Sequence, residues 1–152
     1  MIKNDKPVQT SIMRLIEGPV TPAAISEIVT RGGNITDSGA HSLFLGQVRK
    51  DNIDGKSVRA IEYSAYEEMV IMEANKIQKS ALSEFNDIKS MEILHSKGIV
   101  KVGEISLAVM VSSGHRDQAI KACAKLVELI KEKLPIWKKE IFEDDSEKWK
   151  EG

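Results

Sequence analysis

A chain of 152 residues with 41% hydrophobic content holds enough apolar mass for one domain with a core and too little for two, so residues 1–152 are expected to form a single domain. Its 22 basic and 23 acidic residues nearly cancel, which excludes a global attraction to nucleic acid or to an anionic membrane and makes any charged site a local one. One cysteine excludes an intrachain disulfide, no apolar run approaches the roughly eighteen residues of a membrane span, and the opening MIKNDKPVQT lacks the apolar core of a secretory signal, so the expected compartment is the cytoplasm.

Residues Gln9 to Ile16 read as a first strand, broken by Gly18 and Pro19. Thr21-Pro22 then opens a short helix over Ala23 to Val29, with Thr21 as N-cap and the proline at the position where its missing N–H costs nothing. Arg31 to Gly39 is a loop, Ala40 to Arg49 a strand, Asp51 to Lys56 its turn, and Val58 to Tyr66 the second strand of that hairpin. Asn52 to Gly55 supplies the residues that tolerate unusual backbone angles there.

From Glu67 to Phe85 the apolar positions Val70, Ala74, Ile77, Ala81 and Phe85 recur at spacings of three and four, the signature of an amphipathic helix. Ile88 to His95 and Ile105 to Val111 read as strands, with Gly98 and Gly103 marking the turns between them. Ser113 is the expected N-cap of a second long helix reaching Lys133, with Ile120, Cys123, Val127, Ile130 and Leu134 as its buried stripe and Pro135 as its stop. Ile136 to Phe142 follows as a final strand, and the acidic run Glu143 to Glu147 as a solvated turn. Two long helices among strands with short connections predict an α+β domain built on a mainly antiparallel sheet.

Cys123 falls inside the apolar stripe, where a thiol resists ionisation, so it reads as a core residue rather than a nucleophile. The three histidines make no ligand spacing and one cysteine cannot build a thiolate site, so no metal is expected, and no cofactor; Walker, GxGxxG and GxSxG signatures are also missing. The remaining chemistry is basic. Ser112-Ser113-Gly114-His115-Arg116 lies where a strand gives way to a helix, so free N–H groups and cationic side chains converge in a candidate anion site; the plainer reading is a capped helix with a solvated arginine. Lys131 falls about 60° from the centre of the expected stripe and should be half-buried, either snorkelling or, close to other cations, with a depressed pKa suited to acid and base work. Lys138 follows the proline bend that can fold it back toward Lys131, and Arg49 closes a strand from which it can project over the sheet edge.

Four stretches stand in register across the domain: Gly46-Gln47-Val48-Arg49, Glu62-Tyr63-Ser64-Ala65-Tyr66 with Met69, Ser112-Ser113-Gly114-His115-Arg116, and Pro135-Ile136-Trp137-Lys138-Lys139-Glu140. Over Gly39 to Trp149 this pattern resembles the large, catalytic subunit of molybdopterin synthase, the MoaE family. The resemblance implies a sulfurtransferase that converts cyclic pyranopterin monophosphate into the dithiolene of molybdopterin. Its sulfur comes from a small ubiquitin-like subunit ending in a Gly-Gly thiocarboxylate, and the usual assembly is a heterotetramer around a homodimer of large subunits. No thiol of this chain is then required. The resemblance also implies that Lys131 is the principal catalytic lysine and Lys138 the second, with Arg49, His115 and Arg116 in the anion-binding pocket. The sequence departs from the family at His95-Ser96-Lys97-Gly98, where relatives often carry His-Arg, a further residue and Gly, and relatives often extend as a basic tail past the position of Gly152.

The rival reading is a noncatalytic anion- or ligand-binding regulatory domain; an RNA-binding module is disfavoured, because aromatic residues are only 5% of the chain and do not interleave with basic ones. Helix spacing adds one expectation about geometry. Arg116 and Lys131 lie about 22 Å apart along one helix at 1.5 Å per residue, so a site using both is built most easily where a two-fold dimer brings Arg116 of one copy beside Lys131 of the other.

Overall fold

The computed structural model describes residues 12–150. In chain order they form β1 (Met13–Glu17), α1 (Pro22–Gly33), β2 (Ala40–Gln47), β3 (Asn52–Ile53), β4 (Lys56–Ala65), α2 (Glu67–Glu84), β5 (Ile88–Lys101), β6 (Ile105–Ser113), α3 (Arg116–Lys133), β7 (Ile136–Phe142) and β8 (Glu147–Trp149). The strands make one sheet in the order β2-β6-β5-β4-β7-β8, with β1 added to β5 and β3 to β4. Every pairing is antiparallel except β1 with β5. The expected α+β class with two long helices is therefore the observed one. Residues Gln9 to Ser11 of the predicted first strand lie outside the described residues.

The sheet is covered on both faces at its β2-β6-β5 end. Helices α2 and α3 bury Val70, Ala74, Ile77, Ala122, Leu126 and Ile130 against Met91, Ile93, Leu107, Val109 and Val111. On the opposite face α1 contributes Ile28 against Leu94, Ala108 and Met110. This double coverage explains why β6 is buried almost without interruption rather than on alternate residues. A third cluster, including Val58, Ile61, Tyr63, Val100 and Phe142, sits where β4 and β7 cross the end of β5.

Helix α1 begins as its sequence dictates, with the Thr21 hydroxyl accepting from Ala24 N at 3.2 Å and a proline in the first turn, but it runs to Gly33 and takes in part of the predicted loop. The turn at Asp54-Gly55 has positive φ at both central residues (53° and 79°), as a tight two-residue hairpin requires. Its arms are β3 and β4, however. The predicted hairpin between Ala40–Arg49 and Val58–Tyr66 does not form: β2 pairs with β6 in a register running from Ala40 opposite Ser113 to Gln47 opposite Ile105. Gly98 is not a turn either. It lies inside β5 with φ 90°, at the point where that strand exchanges its neighbour β1 for β4, and a Cβ there would collide with the Glu17 carboxylate.

Two expectations about α3 are corrected. Its N-cap is His115, with no side-chain cap bond, because the Ser113 hydroxyl donates to the His115 carbonyl instead. Its buried residues are Ala119, Ala122, Cys123, Leu126, Val127 and Ile130, while Ile120 is 58% exposed. The buried face is centred about 50° from the predicted stripe, which leaves Lys131 about 110° away from its middle. Lys131 is accordingly exposed, not half-buried.

A cation-lined cavity between α3 and β7

Helix α3 ends with Leu134 as its C-cap, and Pro135 sends the chain back as β7 along β4. The bend sets the last turn of α3 beside the start of β7, and between them, the end of β2 and the start of β6 lies a cavity of about 520 Å³. That is a volume suited to a small organic ligand. Lys131 borders it from the helix, Lys138 from the strand, Lys150 from the segment after β8, and Arg49 from the residues after β2. The floor is formed by Tyr63, His95, Ser106 and Leu107, and the acidic residues on its wall are Asp51 and Glu140.

Strand alternation decides which lysine of the Lys138-Lys139 pair reaches the cavity. Lys139 is engaged elsewhere: it stands 3.4 Å from Glu147 and 3.9 Å from Glu62, and lies 4.8 Å above the Trp149 ring. Lys131, Lys138 and Lys150 have no acidic partner within 4.0 Å among the described residues. Lys150 is held near by its backbone N–H, which donates to the Lys138 carbonyl at 2.8 Å. Burial lowers the Lys138 pKa below the ordinary lysine range, and repulsion from Lys150 and then Lys131 lowers it further. Arg49 differs from the three lysines. Its guanidinium is 81% exposed and bonded to Asp51 at 2.6 Å, which raises the pKa of the one and lowers that of the other.

His115 and Arg116 stand apart from this cavity, at the opposite end of α3. The helix end they open is tied to the loop before β5: the His115 N–H donates to Asp87 Oδ2 at 3.0 Å, and Gly114 N–H to the Asp87 carbonyl at 3.2 Å. Backbone donors that would attract an outside anion are thus partly occupied by Asp87, and the His115 ring lies 3.9 Å from the same carboxylate while remaining 82% exposed. Arg116 is exposed and forms no ion pair among the described residues. Cys123 is buried at 4% exposure with its thiol directed at the Val109 carbonyl, and burial raises its pKa, in keeping with a core role.

Within one chain the structure therefore brings together Lys131, Lys138 and Arg49 and leaves His115 and Arg116 outside. The family model described as MoaE protein matches residues 15–133. This chain belongs to the MoaE family. A relative named molybdopterin synthase catalytic subunit from Dictyostelium discoideum is 48% identical over 115 residues, covering 74% of this chain and 72% of that protein. One of the same name from Pyrococcus abyssi is 39% identical over 117 residues, 77% of each chain. The Drosophila melanogaster protein of that name is 36% identical over 92% of this chain, which spans only 37% of its length. Among solved structures, molybdopterin synthase from Staphylococcus aureus superposes with a TM-score of 0.81 at 28% identity, over 95% of this chain and 100% of that one. A complex of subunits 1 and 2 of molybdopterin-converting factor from Helicobacter pylori shares the fold, with a TM-score of 0.76 at 21% identity over 91% and 90% of the two chains.

In this MoaE-family chain several cavity residues carry no sequence signal that residue-by-residue reading could detect. Lys150 lies in a short charged tail that looks like any solvated terminus, and Glu140 reads as one more strand-end carboxylate although it is only 3% exposed. Tyr63 and His95 belong to strands of mixed polar and apolar composition, where one more polar residue has no spacing rule to mark it. The segment His95-Ser96-Lys97-Gly98, where the sequence departs from the family, continues β5 instead of turning, and Lys97 is exposed beside β1.

Proposed function

We propose that this chain is the catalytic subunit of a molybdopterin synthase. It takes sulfur from the C-terminal thiocarboxylate of a small ubiquitin-like partner and installs it on cyclic pyranopterin monophosphate as the dithiolene of molybdopterin. The observation that supports this most is the set of ammonium groups of Lys131, Lys138 and Lys150, without an acidic partner among the described residues, around one ligand-sized cavity in a MoaE-family fold. Both reactants are anionic, one through its phosphate and the other through its thiocarboxylate, and a partly dry cluster of cations holds such charges together in place of water.

In this reading Lys131 is the principal catalytic lysine. Its ammonium group meets the incoming thiocarboxylate and supports the negative charge that moves between sulfur and oxygen during transfer. Lys138, the desolvated amine of the pair, keeps its proton less firmly and gives it to an oxygen leaving the pterin side chain. Arg49 binds substrate anion at the cavity rim, and its link to Asp51 exchanges for one to phosphate. His115 and Arg116 serve the site of a second copy across a homodimer, in a heterotetramer with one small subunit per large one. The protein works in the cytoplasm. No helix among the described residues is long and apolar enough to cross a membrane.

The test is reconstitution. Purified protein, thiocarboxylated small subunit and pterin precursor should yield dithiolene product, and a partner lacking its last two glycines should yield none. Ligand binding without any product would favour a noncatalytic ligand-binding domain instead.

A further inference from the structure

His95 is 5% exposed and lines the cavity. Its Nδ1 lies 2.8 Å from the carbonyl oxygen of Ser96. A carbonyl can only accept, so Nδ1 carries the hydrogen, and in the neutral ring Nε2 is left as a bare acceptor. The ring is further held by Tyr63, which meets it edge to face at 5.2 Å and is itself anchored by donating its hydroxyl proton to Ser106 Oγ at 3.0 Å.

Nε2 has no hydrogen-bond partner among the described residues. Among the described residues, the side-chain polar atoms that are both sealed from solvent and unpartnered are the hydroxyls of Ser38, Ser90 and Ser96. Nε2 is not one of them, so open space reaches it, and the space that this buried ring borders is the cavity. An oriented, unpartnered acceptor on the floor of a cation-lined cavity has a definite chemical meaning. The lysines and Arg49 supply only donors, and they recognise anions; Nε2 recognises the opposite kind of group.

We propose that His95 is a substrate-binding residue that accepts, at Nε2, a hydrogen bond from an N–H group of a heterocyclic ligand seated on the cavity floor. This deepens the reading above: the heterocycle is the pterin, whose ring N–H groups are donors, while its phosphate lies toward the lysines. Burial and the nearby Lys138 charge lower the His95 pKa to about 4, against the bond to Ser96, which raises it, so the acceptor persists at neutral pH. The other ionisable groups facing this ring are Tyr63, which burial keeps in its neutral form, and the cavity cation Lys138. A site that reads N–H donors discriminates against ligands lacking them, because the buried acceptor would then lose water and gain nothing.

The experiment measures equilibrium binding of two probes, the pterin phosphate precursor and inorganic phosphate, to the full protein assembled with its small subunit. The proteins are wild type, His95→Phe and His95→Gln. His95→Phe keeps the ring shape and removes the acceptor; His95→Gln returns a polar oxygen near the position of Nε2. The expected result is about tenfold weaker pterin binding in His95→Phe, partial recovery in His95→Gln, and unchanged phosphate binding in both. In the wild-type protein, ¹⁵N-histidine spectra should show the Nε2 resonance of His95 move toward the protonated position when the pterin saturates the site, with Nδ1 unmoved. Equal pterin affinity in wild type and a folded His95→Phe protein, or an Nε2 resonance that does not respond to saturating pterin, overturns the assignment. Failure of the wild-type protein to bind the pterin at all removes the functional reading itself, an outcome separable from the other two.

Discussion

Lys131, in the last turn of α3, and Lys138, in β7, face the same cavity from the two sides of the Leu134-Pro135 bend. The proline removes a backbone donor and fixes its own φ, so the helix cannot continue, and the chain returns along β4 with Lys138 opposite Tyr63. Their environments differ even though the cavity is common. Lys131 is exposed, whereas Lys138 is half-buried, and burial depresses its pKa.

Replacing Lys131 by alanine is expected to lower product formation by about 100 to 1,000-fold, the range for loss of a group that stabilises developing negative charge, with little effect on folding because the side chain lies off the buried face of α3. Turnover of the folded variant in the reconstituted synthase checks this. Near-normal rates would remove Lys131 from the chemistry and leave Lys138 as the acting amine.

Lys138 gives a pH prediction with a definite sign. If its protonated form donates to the leaving oxygen, activity falls as pH rises through its pKa, and it does so below the ordinary lysine range. Lys150 disfavours the charged form of Lys138, so Lys150→Ala should raise that pKa and move the alkaline loss of activity to higher pH. Profiles of kcat against pH for wild type and Lys150→Ala decide the matter. A shift to lower pH, or none, contradicts the assignment.

Cys123→Ala should retain sulfur transfer and lose about 1 kcal/mol of stability, the usual cost of trimming a buried side chain. The thiol is buried against the Val109 carbonyl and resists ionisation, so it is suited to neither attack nor sulfur relay. Activity at constant protein concentration and a urea midpoint are the paired measurements. Lost transfer in a folded variant would contradict a donor located wholly on the partner.

Much of this architecture can be read from residue pattern, and the failures have particular causes. Helix α2 is plain because Val70, Ala74, Ile77 and Ala81 recur on one face, and all four are buried. Helix α3 misleads in phase because its inner face uses the small residues Ala119 and Ala122 for close approach to the sheet, while the large Ile120 faces outward; judging a stripe by bulk selects the wrong side. The partner of β2 could not be inferred from adjacency, since β6 lies about sixty residues further on and only tertiary packing joins them. Basic residues at element ends flagged Lys131, Lys138 and Arg49, but His95 belongs to a buried strand and is marked only by what surrounds it in three dimensions.

His95 also makes an acid-stability prediction. The folded protein holds its pKa near 4, against 6.5 in an exposed ring, so the unfolded chain binds more protons between those values and stability rises with pH across that window. The contribution is fully present above about pH 6.5 and is lost as pH falls toward 4; a shift of this size corresponds to about 3 kcal/mol. Carboxylates titrate in the same range, so the informative quantity is the difference in unfolding free energy between wild type and His95→Phe at pH 7 and at pH 4.5. The wild-type advantage should shrink on acidification, and a difference independent of pH would exclude a neutral buried imidazole.

The last prediction concerns the residues left outside the cavity. Arg116 opens α3 and Lys131 lies in its final turn, their backbones about 22 Å apart along the same helix, so a site that uses both is built more easily between two copies than within one chain. Arg116 is exposed and forms no ion pair among the described residues, as a residue serving another copy would be. A two-fold axis that sets Arg116 of one protomer beside Lys131 of its partner creates two equivalent composite sites. Mixed dimers with Arg116→Ala in one subunit and Lys131→Ala in the other test this, once each variant homodimer is shown to be inactive. In the shared arrangement one site carries both substitutions and the other carries neither, so roughly half of wild-type activity returns, a fraction set by the symmetry alone. If each site is built within one chain, every site in the mixed dimer keeps one defect and activity stays absent. Verified mixed dimers without recovered activity would reject the composite site and return His115 and Arg116 to the role of a solvated helix cap.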